Sequence, residues 1–173
     1  SNYLDKKYSE WLGVPLSIKK TSTKPSGTVS LVVGSLPGIH YAEAESYYRL
    51  IRVSNTSHLL PILLGAGYRI EPAASDPLRT SVVYFPVTHM KGTVSKKDVS
   101  IWEQFTNAVD IQHYWADNQV SITITFSEKE KDQIARALSC FDTKLKGVSL
   151  LPISDHGYLQ APYTPAPRDE IEA

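Results

Sequence analysis

A single cysteine, Cys140, occurs among 173 residues, which excludes an internal disulfide framework and any Cys-x-x-Cys metal or redox site. That usage fits a reducing intracellular compartment, cytoplasmic or organellar. Neither sign of charge predominates: eighteen basic and eighteen acidic residues cancel, so the chain lacks the broad basic field of a general nucleic-acid binder. Any phosphate ligand must be held locally. Apolar runs of membrane-spanning length are missing too, the longest candidates being broken by Gly or Pro. The first residues, Ser1-Asn2-Tyr3-Leu4-Asp5, carry no initiator Met and no signal-peptide pattern, and read as the interior of a longer polypeptide or a processed product.

Catalytic templates are equally scarce. None of the five histidines (His40, His58, His89, His113, His156) stands at a His-x-x-x-His or His-Glu-x-x-His spacing, so no metal site is expected. No serine lies in Gly-x-Ser-x-Gly, and no glycine run matches a dinucleotide or Walker A loop. Cys140, between Leu138 and Phe141, reads as a small, partly buried helix residue.

What is present is the composition of a soluble globular protein, 42% hydrophobic and 21% charged, with length for about one domain and its core. Tyr3, Leu4, Tyr8, Trp11 and Leu12 predict a short helix with an aromatic face, stopped by Gly13. Residues 47–53 predict a strand with Tyr47, Arg49, Ile51 and Val53 on one side and Tyr48, Leu50 and Arg52 on the other. Asn55 or Thr56 is expected to cap a helix through Leu59, Leu60, Leu63 and Leu64, ended by Gly65 or Gly67. A loop over 71–79, a strand over 80–87 stopped by Pro86 or soon after, and an exposed turn over 89–93 follow. Residues 95–117 are the most helical stretch, with Ser95 and Asp98 resembling a capping box and a stripe of Ile101, Trp102, Phe105, Ala108, Val109 and Gln112. Residues 119–126 alternate, Val120, Ile122, Ile124 and Phe126 facing one way. Ser127 and Glu130 form a capping box for a helix carrying Ile134, Leu138, Phe141 and Leu145, ended by Gly147. Residues 148–153 are a further strand, parallel to the last because a helix connects them. The class is α/β, with residues 1–157 as the main body and 158–173 as an extended, acidic-ended tail.

One stretch suggests a site. Residues 21–33 pass from a β-prone, threonine-rich run through Pro25, Ser26, Gly27 and Thr28 into Val29, Ser30 and an apolar segment. Pro25 ends a strand, Gly27 allows close backbone approach, and Ser26 and Thr28 are helix-capping types. The first turn of such a helix offers unpaired N–H groups, a seat for phosphate. The plainer alternative is a capped turn between strand and helix.

Several segments together resemble the catalytic subunit of class II, adenosylcobalamin-dependent ribonucleotide reductases. They are Lys24 to Leu31, Leu36-Pro37-Gly38-Ile39-His40, Tyr47 to Val53, Tyr114 to Phe126, Leu145 to Pro152, His156-Gly157-Tyr158, and Gln160 to Tyr163. Order and spacing match from about Trp11 to Tyr163. The resemblance implies the C-terminal portion of a ten-stranded α/β barrel. It also implies that Pro25, Ser26, Gly27, Thr28, Val29 and Ser30 hold the phosphates of a ribonucleotide substrate. The family's radical-bearing cysteine, its pair of reducing cysteines and its Asn and Glu lie upstream of the matched region, and Cys140 has no such role. The resemblance therefore implies partners, namely the remainder of the reductase subunit or other chains of a larger assembly. The cofactor, adenosylcobalamin, is implied by the family alone and has no identifiable motif here. The rival reading is a non-catalytic structural or interaction subunit derived from such a reductase.

Overall fold

The structure, a computed structural model, describes residues 2–26, 29–153 and 159–172. Gly27, Thr28, His156 and Tyr158 lie outside the described residues. In chain order the elements are α1 (Asn2–Leu12), α2 (Val29–Val32), β1 (Ser46–Ser54), α3 (Leu59–Gly65), β2 (Arg69–Pro72), β3 (Thr80–Thr88) and α4 (Ile101–Tyr114). Then come β4 (Thr123–Phe126), a 3-10 helix (Glu128–Gln133) running into α5 (Ile134–Phe141), β5 (Ser149–Pro152), β6 (Tyr163–Pro165) and α6 (Arg168–Glu172). The chain forms two compact units: Ser1–His40 with Val99–Ile153, and Tyr41–Asp98 with Ser154–Ala173.

The first unit is built around α4. Its helical stripe buries Ile101, Phe105 and Ala108 against Ile122, Ile124 and Ala137. The rings of Phe105 and Phe141 stack with centroids 5.2 Å apart. β4 and β5 pair in parallel, Thr123 opposite Ser149 through Phe126 opposite Pro152, as strand–helix–strand order requires. The alternation of 119–126 is expressed in burial, with Val120, Ile122 and Ile124 inside, although only 123–126 is ladder-paired.

Helix α4 starts later than expected. Ser100, not Ser95, is its cap and accepts from the Glu103 N–H at 3.2 Å. The Asp98 carboxylate accepts from both the backbone N–H (3.0 Å) and the hydroxyl (2.7 Å) of Ser95, so that pair closes a turn of its own. The Ser127–Glu130 capping box is present, on a first turn that is 3-10. Glu130 also accepts the first N–H of α4, from Ile101, at 3.0 Å, so one carboxylate caps two helix starts. Burial pushes the Glu130 carboxyl up, but the N–H groups of Ser127 and Ile101 outweigh it and hold it low. Cys140 is exposed, not partly buried. The inward stripe of α5 runs through Ala137 and Phe141, leaving Cys140 at its solvent edge.

In the second unit four strands lie in the order β2-β3-β1-β6, all antiparallel. Leu50, Val82, Tyr84 and Ala73 form the core of one face, with Tyr48 against it. Tyr47 lies on the other face beside His89 and Tyr163, as the two-sided reading of β1 requires. Residues 69–72, partly assigned to a loop, are strand β2. Strand β3 ends at Thr88, two residues past Pro86, in keeping with a stop at or soon after that proline, and it carries the proline for a reason visible in the register. The N–H of Leu50 turns away from β3 to the Pro162 carbonyl, so Tyr84 and Pro86, opposite Leu50 and Tyr48, direct their backbone toward β2. Pairing with β2 ends at Tyr84, and the missing proline N–H costs no ladder bond.

Asn55 does not cap α3. Its side chain binds the carbonyls of Pro77 and Leu78 and the Ser81 hydroxyl, while the Ser57 hydroxyl accepts from Leu59 N–H at 3.3 Å. Gly67, at φ +84°, follows the end of the helix. The segment from Leu159 on, expected to be extended, holds β6 and α6. Asp169 and Glu170 sit in the first turn of α6, where acidic side chains favour the helix dipole.

The aromatic face of α1 is unburied: Tyr3 is 74% exposed, Trp11 67% and Leu12 73%. On the far side of β5 no strand pairs among the described residues. A two-stranded parallel sheet with an open edge is a poor independent structure. Expressed alone, the chain is expected to aggregate or to unfold with weak cooperativity in size-exclusion and calorimetric measurements. A monomer with one sharp two-state transition would contradict that.

Candidate functional site

The run from Lys20 to Thr23 is an extended segment fixed by side chains, not the strand expected before Pro25. Asp117 is the main clasp. Its carboxylate accepts from the N–H groups of Lys20 (2.9 Å) and Thr21 (2.8 Å), and its own N–H donates to the Thr21 hydroxyl at 3.1 Å. That hydroxyl donates in turn to the Trp115 carbonyl at 2.7 Å. Ser22 donates to Gln119 O at 2.9 Å, and the Thr23 carbonyl accepts from Ser121 N–H at 2.9 Å. Backbone and side-chain partners alternate here, so no ladder forms.

These bonds deliver the chain to Pro25 in a fixed direction. Beyond it, Ser26 and Ser30 are linked twice: the Ser26 hydroxyl accepts from Ser30 N–H at 3.1 Å, and the Ser30 hydroxyl donates to the Ser26 carbonyl at 2.5 Å. Having accepted from Ser30, the Ser26 hydroxyl still has its own proton to give. Pro25 is exposed, Ser26 and Ser30 are half-buried, and Val29 is 69% exposed. The helix after the loop, α2, is a single turn.

The loop from Leu36 to His40 backs this segment. At Gly38, φ is +62° and an added Cβ would stand 3.3 Å from Lys24 O and from the N and Cα of Pro25. Only glycine suits both the backbone and the space. His40 anchors the loop: its Nε2 accepts from Thr123 N–H at 3.0 Å and its Nδ1 faces the Pro37 carbonyl at 2.9 Å. Those contacts require the neutral tautomer with its proton on Nδ1.

Asp117, His40 and Gly38 thus position the loop. Sequence reasoning named the Leu36–His40 block without its structural role, and missed Asp117. Nothing in the spacing joins Asp117 to residues 20–21; the only signal was its place in the block Tyr114–Phe126.

Hydrogen bonds from Thr21, then Lys20, hold the Asp117 carboxyl below the usual carboxylate range. A depressed folded-state value means that the clasp stabilises fully above the ordinary Asp range and is lost as pH falls through the folded value. Asp117→Asn is expected to speed amide exchange at Lys20 and Thr21 at neutral pH and to abolish its acid-dependent rise. Equal exchange in both proteins would contradict the clasp.

No group of three His, Cys, Asp or Glu side chains able to hold a metal occurs among the described residues. Nor do the described residues fit a corrin. The glycines with the closest neighbours, Gly38 and Gly147, face Lys24–Pro25 and Gln119 of this same chain. The buried nitrogens left without a partner, Arg49 Nε and His89 Nε2, lie around the Tyr47–Tyr163 aromatic cluster of a sheet face. No helix among the described residues is long and apolar enough to cross a membrane.

Over nearly all of its length the chain is similar to known proteins. It is 49% identical over 166 residues to a probable adenosylcobalamin-dependent ribonucleoside-triphosphate reductase of Dictyostelium discoideum, covering 94% of this chain and 22% of that protein. It is 45% identical over 170 residues to the adenosylcobalamin-dependent ribonucleoside-triphosphate reductase of Euglena gracilis, covering 97% and 23%. A crystal structure of a B12-dependent (class II) ribonucleotide reductase superposes with a TM-score of 0.88 at 36% identity, covering 99% of this chain and 24% of that one. No family model matches the chain.

A mixed α/β fold that superposes on a class II ribonucleotide reductase, with identities at this level, is that of the class II ribonucleotide reductases, and the chain belongs to that family. The relatives it matches are named as adenosylcobalamin-dependent ribonucleoside-triphosphate reductases, and it spans a little under a quarter of their length.

Proposed function

We propose that this chain is the C-terminal portion of a class II ribonucleotide reductase catalytic subunit, an oxidoreductase that makes deoxyribonucleotides for DNA synthesis. Its share of the work is to seat the substrate phosphates at Pro25, Ser26, Gly27, Thr28, Val29 and Ser30 and to supply closing strands. Residues 1–157 would belong to the ten-stranded barrel. What carries this reading is the 49% identity over 94% of the chain, a span that includes the 25–30 loop and the elements that position it.

The local chemistry is binding and orientation. Backbone N–H groups after Gly27 and the hydroxyl protons of Ser26 and Thr28 meet phosphate oxygens, with charge-assisted bonds stronger than neutral ones. Ser30 is otherwise engaged, its N–H and hydroxyl both bonded to Ser26, so its part is to shape the turn. Asp117 and His40 keep the turn in place from behind. Adenosylcobalamin, when bound, supplies the radical; with no fitting residues among those described here, its seat and the reducing cysteines belong to the remainder of the subunit. That remainder is the partner this chain requires, in a reducing intracellular compartment, cytoplasmic by preference.

The rival reading is a non-catalytic structural or interaction subunit derived from such a reductase. The test is the identity of the polypeptides that co-purify with the chain from its source under native conditions. The reductase reading expects the cysteine-bearing barrel portion, on the same polypeptide or a partner. An assembly without any such portion would establish the rival.

A further inference from the structure

Beside the Asp117 clasp lies an open groove of about 730 Å³, bordered by Lys19, Lys144, Lys146, Tyr114, Trp115 and Asp117. Its charge is unevenly balanced. Asp117 is engaged by the N–H groups of Lys20 and Thr21, and Lys146 Nζ donates to the Asp117 backbone carbonyl, not to a carboxylate. Neither Lys19, Lys144 nor Lys146 has a carboxylate ion-pair partner among the described residues. The Asp110 carboxylate and the His113 ring also border the groove, leaving the ammonium groups in excess. Aromatic surface stands next to them: Tyr114 is 81% exposed and Trp115 61%, with Tyr114 held edge-on to His113 at 4.6 Å between centroids.

We propose that this groove binds a nucleotide, its phosphates between Lys19 and Lys146 and its base against Trp115. Ammonium groups without carboxylate partners recognise phosphate oxygens through charge-assisted bonds. An exposed indole beside them gives a stacking platform that any base can use. The Lys146 amine is held below the usual lysine range by desolvation and then by the neighbouring Lys19 ammonium; an anion between the two relieves that repulsion. The groove rests on the reading of residues 25–30 in no way, and the two are separable by mutation.

Trp115 itself is the reporter. In the complete reductase that contains this chain, ATP is expected to change tryptophan fluorescence saturably, and Trp115→Phe to abolish that change. Lys19→Gln and Lys146→Gln, the latter keeping a donor for the Asp117 carbonyl, are each expected to weaken ATP binding read by this signal about tenfold. Gly27→Val is expected to leave it unaltered. Inorganic tripolyphosphate should compete, and adenosine should not at equal concentration. The proposal is overturned by a signal that survives Trp115→Phe, by affinity unchanged in both lysine variants, or by adenosine competing as well as ATP. If Gly27→Val removes the signal along with ordinary substrate binding, the signal belongs to the 25–30 loop and the groove is excluded.

Discussion

Gly27→Val is expected to weaken ribonucleotide binding to the complete reductase about a hundredfold, close to 2.7 kcal/mol, and by similar factors for all four bases. In the proposed seat, the glycine that the sequence places between Ser26 and Thr28 would let phosphate oxygens lie against the backbone, and a valine side chain would occupy that space. Hydrogen bonds to a charged partner are worth about 1.5–3 kcal/mol each, so losing one or two accounts for the fall. Phosphate carries no base identity, hence the uniformity. Ser30→Ala should cost less, because the Ser30 hydroxyl donates inward to the Ser26 carbonyl. Equilibrium binding of each nucleotide to wild type and to both variants decides the matter. Unchanged affinity in Gly27→Val, or loss for one base alone, would reduce the loop to a capped turn.

Gln104→Met is expected to destabilise the unit that holds the loop by about 2–4 kcal/mol. Gln104 is 3% exposed on α4. Its amide accepts from Thr125 N–H at 2.9 Å and donates to Thr125 O at 2.8 Å, imitating a neighbouring strand on the edge of β4 away from β5. His40 does the same for the Thr123 N–H, so that edge is closed by side chains. Methionine keeps the volume but leaves a buried N–H and C=O without partners, and each such group costs about 1–3 kcal/mol. Urea unfolding with amide exchange at Thr125 provides the check. A loss below about 0.5 kcal/mol, within the range of neutral surface changes, would mean that water or another donor satisfies Thr125.

Much of the architecture was legible in the sequence because burial follows periodicity. The stripe on α4, the alternation of residues 120–124, the capping box at Ser127 and the parallel pairing of β4 with β5 are all consequences of local pattern. What escaped was tertiary. Ser95 and Asp98 have the form of a helix cap, and only the path of the chain shows that they close a separate turn while Ser100 takes the role. Why β3 can carry Pro86 is visible only in the register, where that side of the strand has no partner. Asp117 stands at the end of the expected helical stretch and Gln104 lies outside its expected stripe; the work of both depends on backbone groups far along the chain. Of the candidate phosphate loop, the sequence supplied the residue types, while the structure adds how Ser26, Ser30, Gly38 and His40 are arranged around it.

If this chain is a working part of a reductase, turnover depends on it. The most direct measurement is adenosylcobalamin-dependent conversion of a ribonucleoside triphosphate by the purified complete assembly, compared with the same assembly lacking residues 1–173. Deoxyribonucleotide formed only when the chain is present, and only with the cofactor, is the expected result. Full turnover without the chain, or none with it under conditions where the cofactor is bound, would contradict it.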